Sequence, residues 1–357
     1  MLTTPSTTWN ARFAVGLAVC AFVALAACES PAPPSDADEV WRFAIEETAG
    51  SLQDAYAQRF RELVEERTGG EVEVLVYTYG TLGTSDHITE QLNMGTIQFA
   101  MASPGHLGKL MPEVQAFLLH FTMSDDPAVN HRALRDDEPL RRLMSELYAE
   151  KGMHYVTAFG EGEMAWTTKQ PVRSPDDFAG VRMRVMTSPL LLASYAAYGA
   201  NPTPLPYAEV YSGLQLNMID GQVNPIFAIQ EMSFYEVTDY LIFPGHAHFF
   251  TTLTANPDFW DGLSDERRAM LEQIFEELQE FIFETEQRFN EERLDIIREA
   301  RPELEILRLS DEEQAAFRER AVEVRERYLE LAGPRGAELL ATIEAAVERA
   351  SAAEAAD

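Results

Sequence analysis

Apolar positions along the chain follow two alternating rhythms. Trp41, Phe43 and Ile45 fall two apart and predict a first strand. Ala55, Phe60, Leu63 and Val64 share one helical face, so 51–67 reads as a helix that stops at Gly69-Gly70. Period two returns over 71–77, a second helix follows over 85–94 with Gly95 beyond it, and 97–102 is a third strand. A second cycle gives strands over 153–159, 164–168, 182–186, 237–243 and 249–253, with helices over 188–198 and 207–218. Strands alternating with helices predict an α/β fold: a mostly parallel sheet covered by helices.

Residues 264–300 carry an unbroken helical pattern with no Gly or Pro. Ser264 caps it, Asp265 and Glu266 suit its first turn, and Leu271, Ile274, Phe275, Leu278 and Ile282 form its apolar stripe. Such a helix is roughly 55 Å long at 1.5 Å per residue, more than one small domain can cover. Paired charges at heptad flanks do not persist, so it reads as a helix packed across two lobes rather than a coiled coil. A strand over 304–309, a helix over 311–331 and an Ala/Glu-rich tail close the chain, which shows no internal repeat.

The N-terminus reads differently. Arg12 precedes an apolar run, Phe13 to Ala27, that is shorter than the roughly 20 residues needed to span a bilayer. Leu25-Ala26-Ala27-Cys28 places small residues before a thiol, the pattern of a lipoprotein signal with the lipid on Cys28; an ordinary cleaved signal is the alternative. Either places the working protein outside the cytoplasm, membrane-anchored in the periplasm if Cys28 is lipidated. Residues 29–39 are rich in Pro, Ser and acid and read as a flexible tether. Cys20 would leave with the signal, so no internal disulfide is expected and stability must rest on a core. No later segment is long and apolar enough to span a membrane.

The net charge of −31 leaves no basic patch for phosphates, which excludes nucleic acid as a partner. It also disfavours anionic lipid surfaces. An acidic surface of this kind suits a saline periplasm, and the folded protein should then hold its stability as salt rises.

Catalytic motifs are missing: no Walker loop, no dinucleotide-binding glycine motif, no HExxH and no Gly-x-Ser-x-Gly. Of seven histidines, only His246 and His248 have ligand-like spacing, and no cysteine accompanies them, so no metal or cofactor is expected. Arg182 and Arg184 instead stand on one face of an apolar strand. The pattern fits a solvated edge strand, or a guanidinium at a strand end gripping a carboxylate in a cleft. Pro202, Pro204 and Pro206 then stiffen a loop before Tyr207, and Asp220-Gly221-Gln222-Val223-Asn224-Pro225 forms a turn able to present an amide.

Taken together, Arg182 to Met186, Gly199 to Pro206, Glu209 to Gln215 and Asp220 to Pro225 resemble the motifs of the solute-binding proteins of TRAP transporters, the dicarboxylate-binding type, in order and spacing. Leu82-Gly83 and the run Ser174 to Phe178 also fit, and the likeness covers Val40 to Leu331. The resemblance implies a periplasmic-binding-protein-like fold of type II, a Venus flytrap whose two lobes are both crossed by the long helix. The lobes would comprise 40–161 with 250–289, and 162–249 with 290–340, leaving 341–357 as a tail. It implies a protein that catches a small carboxylate or zwitterion, closes, and hands it to a sodium-driven TRAP permease, with Arg184 on the carboxylate and Asn224 facing the ligand.

Residues 41–47, 161–164, 204–211 and 224–227 are most similar to the ectoine-binding branch of that family. In that branch the position of Glu47 pairs with a cationic ring; an acid there would equally serve the N-terminus of the 51–67 helix. An acid, Glu163, stands where acid-binding relatives carry a second arginine, which suits a zwitterion better than a dicarboxylate. The branch has tryptophans where this chain has Tyr207 and Ala228, and a phenylalanine near His106; Phe227 and Phe249 remain as candidate walls. Another monocarboxylate (a 2-oxoacid, lactate or pyroglutamate) is the alternative ligand, and a sensory module presenting its ligand to a receptor is the alternative role. Paired acids among Glu46, Glu47 and Glu163 would also suit a hydrolase, but no motif demands one.

Overall fold

A computed structural model describes residues 37–356. The signal, Cys28 and most of the tether lie outside the described residues. Ten strands form the frame: β1 (Glu39–Ala44), β2 (Val72–Tyr77), β3 (Phe99–Ala102), β4 (His154–Thr168), β5 (Arg182–Val185), β6 (Asn201–Pro204), β7 (Gly221–Pro225), β8 (Tyr240–Phe243), β9 (His248–Ala255) and β10 (Glu305–Arg308). One half of the sheet runs β2-β1-β3-β9-β4, and the other continues from β4 through β7 and β5 to β6, with β8 and β10 on its other side. The expected α/β class holds, but the sheet is mixed rather than mostly parallel. β9 runs antiparallel to both β3 and β4, and β4 antiparallel to β7 and β8, because the chain passes back and forth between the halves.

The two strands expected over 153–159 and 164–168 are one, β4, which serves both halves. Gly160 pairs with Phe250 and Gly162 with Phe249, so Glu161 is an extra, unopposed residue, a β-bulge. Gly162 has φ +123°, and a β carbon there would lie 2.6 Å from Asn290 Nδ2. That amide donates to the Glu161 carbonyl oxygen at 3.0 Å. Only glycine can take this backbone and let the helix approach so closely.

The helix Asp265–Ala300 joins the halves as its length requires. Ser264 caps it by accepting from the Arg267 amide. Its first turns bury Leu271, Ile274, Leu278 and Ile282 with Trp41, Phe43 and Phe60 of the first half, where Phe60 stacks on Phe275. Ile297, near its end, packs with Ala165, Val210 and Leu241 of the second half.

Elsewhere the pattern was incomplete. The helix expected over 207–218 is a short turn, Tyr207–Glu209, followed by Val210–Gln215. Helices Pro127–Asp136 and Glu138–Ala149 cover the first half in a stretch for which no element was assigned. The final helix runs from Asp311 to Glu354 with a break at Gly333, φ +62°, followed by Pro334. Helical pattern stops there in the sequence because Gly and Pro end helices. The segment beyond is no loose tail: Leu339, Leu340, Ile343, Ala346 and Ala350 are buried against Leu140, Leu143, Met144 and Leu147.

Candidate ligand-binding site

A cavity of about 200 Å³ is lined from both halves of the sheet. Glu46 and Glu47 enter it just past β1, Arg184 from β5, Asn224 from β7 and Phe249 from β9. These are ends of strands, where crossover connections leave a crevice in an open α/β sheet. Of the eight residues expected at the site, Arg184, Glu47, Asn224, Tyr207, Phe227, Phe249 and His106 line this one cavity. Glu163 does not. It follows the bulge by two residues, and its carboxylate pairs with Arg308 at 3.1 Å outside the cavity lining.

Arg184 is 2% exposed. Its Nε donates to the Leu205 carbonyl oxygen at 2.9 Å, the stiff proline loop serving as its anchor. No carboxylate of the described residues pairs with it, so its terminal nitrogens are left to the cavity. Burial lowers its pKa to about 10, which keeps it charged at neutral pH. Arg182, one turn of the pleat away, is instead tied to Asp220 at the surface. The strand therefore uses one arginine for structure and leaves the other free.

The acidic side is built in layers. Glu46 faces back into the protein: Ser103 N donates to its Oε2 at 2.7 Å and His106 Nδ1 lies 2.8 Å from its Oε1. Burial works against its charge, but the His106 charge and these bonds outweigh it and hold its carboxyl below the usual range. Glu47 lies beside it and accepts from the Gln53 amide at 3.2 Å, in the first turn of helix Leu52–Arg67. The helix-terminus role and the cavity position therefore coexist in Glu47. Against it stands Glu161, the bulged residue, fully buried, whose Oε1 accepts from Gln53 Nε2 at 3.0 Å. Burial, then the Glu161 charge, push the Glu47 carboxyl well above its ordinary value. Burial likewise raises Glu161 to about 7.

Aromatic walls complete the cavity. Tyr207 meets Tyr79 edge to face at 6.0 Å and Phe234 at 5.9 Å. Phe227 is held by Asn290, whose Oδ1 accepts from its backbone amide at 3.1 Å. Asn224 donates to Gln222, which in turn donates to Thr167 at 3.0 Å. Ala228, a position where the ectoine-binding branch is expected to carry a tryptophan, also lines the cavity. Sequence reasoning missed Tyr79, Gln53 and Lys109 as lining residues and Glu161 behind them. Tyr79, Gln53 and Lys109 carried no signal of their own, since Gln53 reads as an ordinary residue of a helix and Lys109 as a surface lysine, whereas Glu161 lies within the 161–164 likeness.

His246 and His248, the two histidines with ligand-like spacing, do not share a strand. His246 precedes β9, is 2% exposed and bonds Tyr195 and Trp166, while His248 begins the strand. Among the described residues no cluster of three or more ligating side chains could hold a metal.

The chain is 39% identical over 333 residues, covering 93% of it and 96% of the relative, to the ectoine/5-hydroxyectoine-binding periplasmic protein UehA of Ruegeria pomeroyi. It is 41% identical over 300 residues, 84% of this chain and 87% of the relative, to the ectoine-binding periplasmic protein TeaA of Halomonas elongata. The solved structure of the periplasmic ectoine-binding protein of the TeaABC TRAP transporter from Halomonas elongata superposes with a TM-score of 0.84 at 40% identity, covering 87% of this chain and 99% of that one. The fold is thus the type II periplasmic-binding arrangement, and these relatives are binding proteins of transport systems, not enzymes. Residues 43–331 match the family described as bacterial extracellular solute-binding protein, family 7, the DctP family, and the chain belongs to it.

Proposed function

We propose that this protein is the solute-binding component of a TRAP transporter and captures a carboxylate-bearing zwitterion of the ectoine type. The observation that carries the reading is the placement of an unpaired arginine, Arg184, and a buried acid, Glu47, in one cavity. Arg184 grips the carboxylate with its terminal nitrogens, and Glu47 takes the cationic ring. A charge-assisted hydrogen bond of this kind contributes about 1.5–3 kcal/mol. Asn224 adds a polar contact, and Tyr207, Phe227 and Phe249 supply apolar and cation–π surface. His106 acts at one remove by holding Glu46. Glu163 has no part in this site.

The halves flanking the cavity act as two lobes that close on the ligand before delivery to a sodium-driven permease in the membrane. Lipidation at Cys28 would tether the protein in the periplasm. A second reading has one observation in its favour: a protonated Glu47 can donate to a plain monocarboxylate held by Arg184.

A thermal-shift screen separates the two. A ligand at 100 times its dissociation constant adds about 2.7 kcal/mol of stability, a rise of several degrees. Stabilisation by ectoine or 5-hydroxyectoine and not by lactate, pyroglutamate or 2-oxoacids is the expected result. Stabilisation by the simple anions alone would replace the zwitterion with a monocarboxylate.

A further inference from the structure

Glu161 is the residue of the acidic layer that the binding reading leaves unexplained. It sits at the bulge of β4, flanked by Gly160 and Gly162, so the backbone is shaped to aim this one side chain inward. Its Oε1 is satisfied by Gln53. Its Oε2 is buried with no donor, and the carboxyl it meets is that of Glu47. Two buried carboxyls in contact cannot both be ionised at low cost; a proton between them removes the repulsion and satisfies the orphaned oxygen.

We propose that Glu47 and Glu161 share one proton, so that the pair offers the ligand a single negative charge, and that binding a cationic group in acid solution expels one proton. The inference rests on the zwitterion reading above and adds a positioning residue behind Glu47. In acid solution both carboxyls carry protons. When the cation arrives, the Glu47 O–H bond breaks, its proton passes to a buffer base, and the carboxylate left behind takes the ligand. The second proton stays between the two carboxyls, drawn to Glu161 once the cation sits on Glu47. Near neutrality the pair already holds one proton and has none to lose. One negative charge then faces the one positive charge of Arg184, which matches a zwitterion.

The surroundings agree with a pair that holds protons. On the β1 side, Glu46 is ionised on His106 and Ser103, and its charge raises Glu161 further. On the long helix, Glu286 raises it as well. From the helix Ile226–Glu231, Glu231 faces Glu47 with a carboxyl that burial first, then the Glu47 charge, lift to about 8, partly offset by Arg293, while Asp54 adds to the lift. The Tyr207 phenol faces the same group and is kept protonated by burial. Hydrogen bonds act on both members: the Gln53 backbone amide and the Ser51 hydroxyl favour a charged Glu47, while Gln53 Nε2 and Glu47 itself favour a charged Glu161, so the remaining proton is shared and an arriving cation decides which oxygen carries the charge.

Calorimetry of the purified protein with ectoine, at pH 6 and pH 8.5 in buffers of low and high ionisation enthalpy, tests this. At pH 6 close to one proton should be released per ectoine bound, at pH 8.5 almost none, and affinity should fall up to tenfold per pH unit below the pair's first titration. Glu161→Gln still offers Glu47 a donor but removes the acid with which it shares a proton, so Glu47 should titrate at lower pH, the release at pH 6 should shrink and the pH profile should move to lower pH. Glu231→Gln should keep the release. Ectoine binding at pH 6 without proton release, a release that is unchanged in Glu161→Gln, or one that disappears in Glu231→Gln would each overturn the inference.

Absence of any ectoine heat would instead retire the zwitterion reading, and carbon-13 titration of the glutamate carboxyls in the ligand-free protein then decides. Two coupled carboxyls are expected, of which Glu161→Gln removes one and moves the other to lower pH. Unchanged titration of the remaining carboxyls in that variant would contradict a shared proton.

Discussion

The Arg184 Nε donates to the Leu205 carbonyl oxygen at 2.9 Å, which fixes the plane of the guanidinium and turns its terminal nitrogens to the cavity. The acceptor belongs to the proline-stiffened loop that enters the site at Tyr207, so the residue proposed to read the ligand's carboxylate is oriented by the segment that builds the aromatic wall.

Arg184→Ala should therefore weaken binding of any carboxylate ligand at least 100-fold, read by calorimetry. The ligand-free protein should melt at the same temperature or slightly higher, because a buried charge without a counter-ion costs desolvation. Arg184→Lys should recover little, since an ammonium cannot reproduce the fork. Unchanged affinity in Arg184→Ala would remove the residue from the site.

Gly162→Ala tests the bulge. At φ +123°, with Asn290 Nδ2 2.6 Å from the new carbon, the substitution strains the backbone and displaces the long helix. A loss of about 2 kcal/mol or more is expected, measured by denaturant unfolding. Neutral behaviour would mean that the crossing between the halves can relax.

Ile343→Ala tests the docking of the last helical segment. Ile343 is fully buried in the cluster that includes Leu140, Leu143 and Leu147. Its truncation should cost about 2–5 kcal/mol, as for other buried aliphatic side chains. A change below about 0.5 kcal/mol, ordinary for surface sites, would show that the segment contributes little.

Acid stability has a definite sign. His120 is buried with its Nδ1 at 2.6 Å from the Tyr198 hydroxyl, and burial lowers its pKa to about 3. Buried His246 is lowered in the same direction, its ring 4.5 Å from that of His120. The unfolded chain binds these protons below about pH 6.5 while the folded one does not, so their contribution, full above that pH, is lost as pH falls towards 3. Glu286, raised to about 7 by burial, acts oppositely: the folded chain holds its proton, and that contribution is lost as pH rises through 7. His120→Gln should flatten the acid limb of a stability–pH curve between about 6.5 and 3 and leave the limb near 7 in place. An acid limb of unaltered slope would show that His120 does not titrate in this range.

Much of the fold was legible because its signals are local. The stop at Gly69-Gly70 and the Ser264 cap bound their helices closely. The length of the 265–300 helix pointed to packing on more than one cluster, and its buried residues divide between two. What was not legible depends on tertiary context. β4 crosses from one half to the other through a bulge whose glycines look like a strand break in the sequence. The helix beyond Gly333-Pro334 is stabilised by packing, so its Ala/Glu-rich composition resembled a solvated tail. At the site, motif positions located Arg184, Glu47 and Asn224, but no spacing rule brings Tyr79, Gln53 or Glu161 to them, because they arrive from separate crossovers of the sheet. Glu163, two residues beyond the bulge, pairs with Arg308 and does not line the cavity, because the bulge at Glu161 resets the alternation of faces along β4.

A crystal structure of the protein with ectoine would test the account most directly. The predicted result places the ligand's carboxylate within about 3 Å of the Arg184 guanidinium and its ring nitrogen within hydrogen-bond distance of the Glu47 carboxylate. A carboxylate bound away from Arg184, or a ring turned away from Glu47, would contradict the assignment of the two charges on which the proposed function stands.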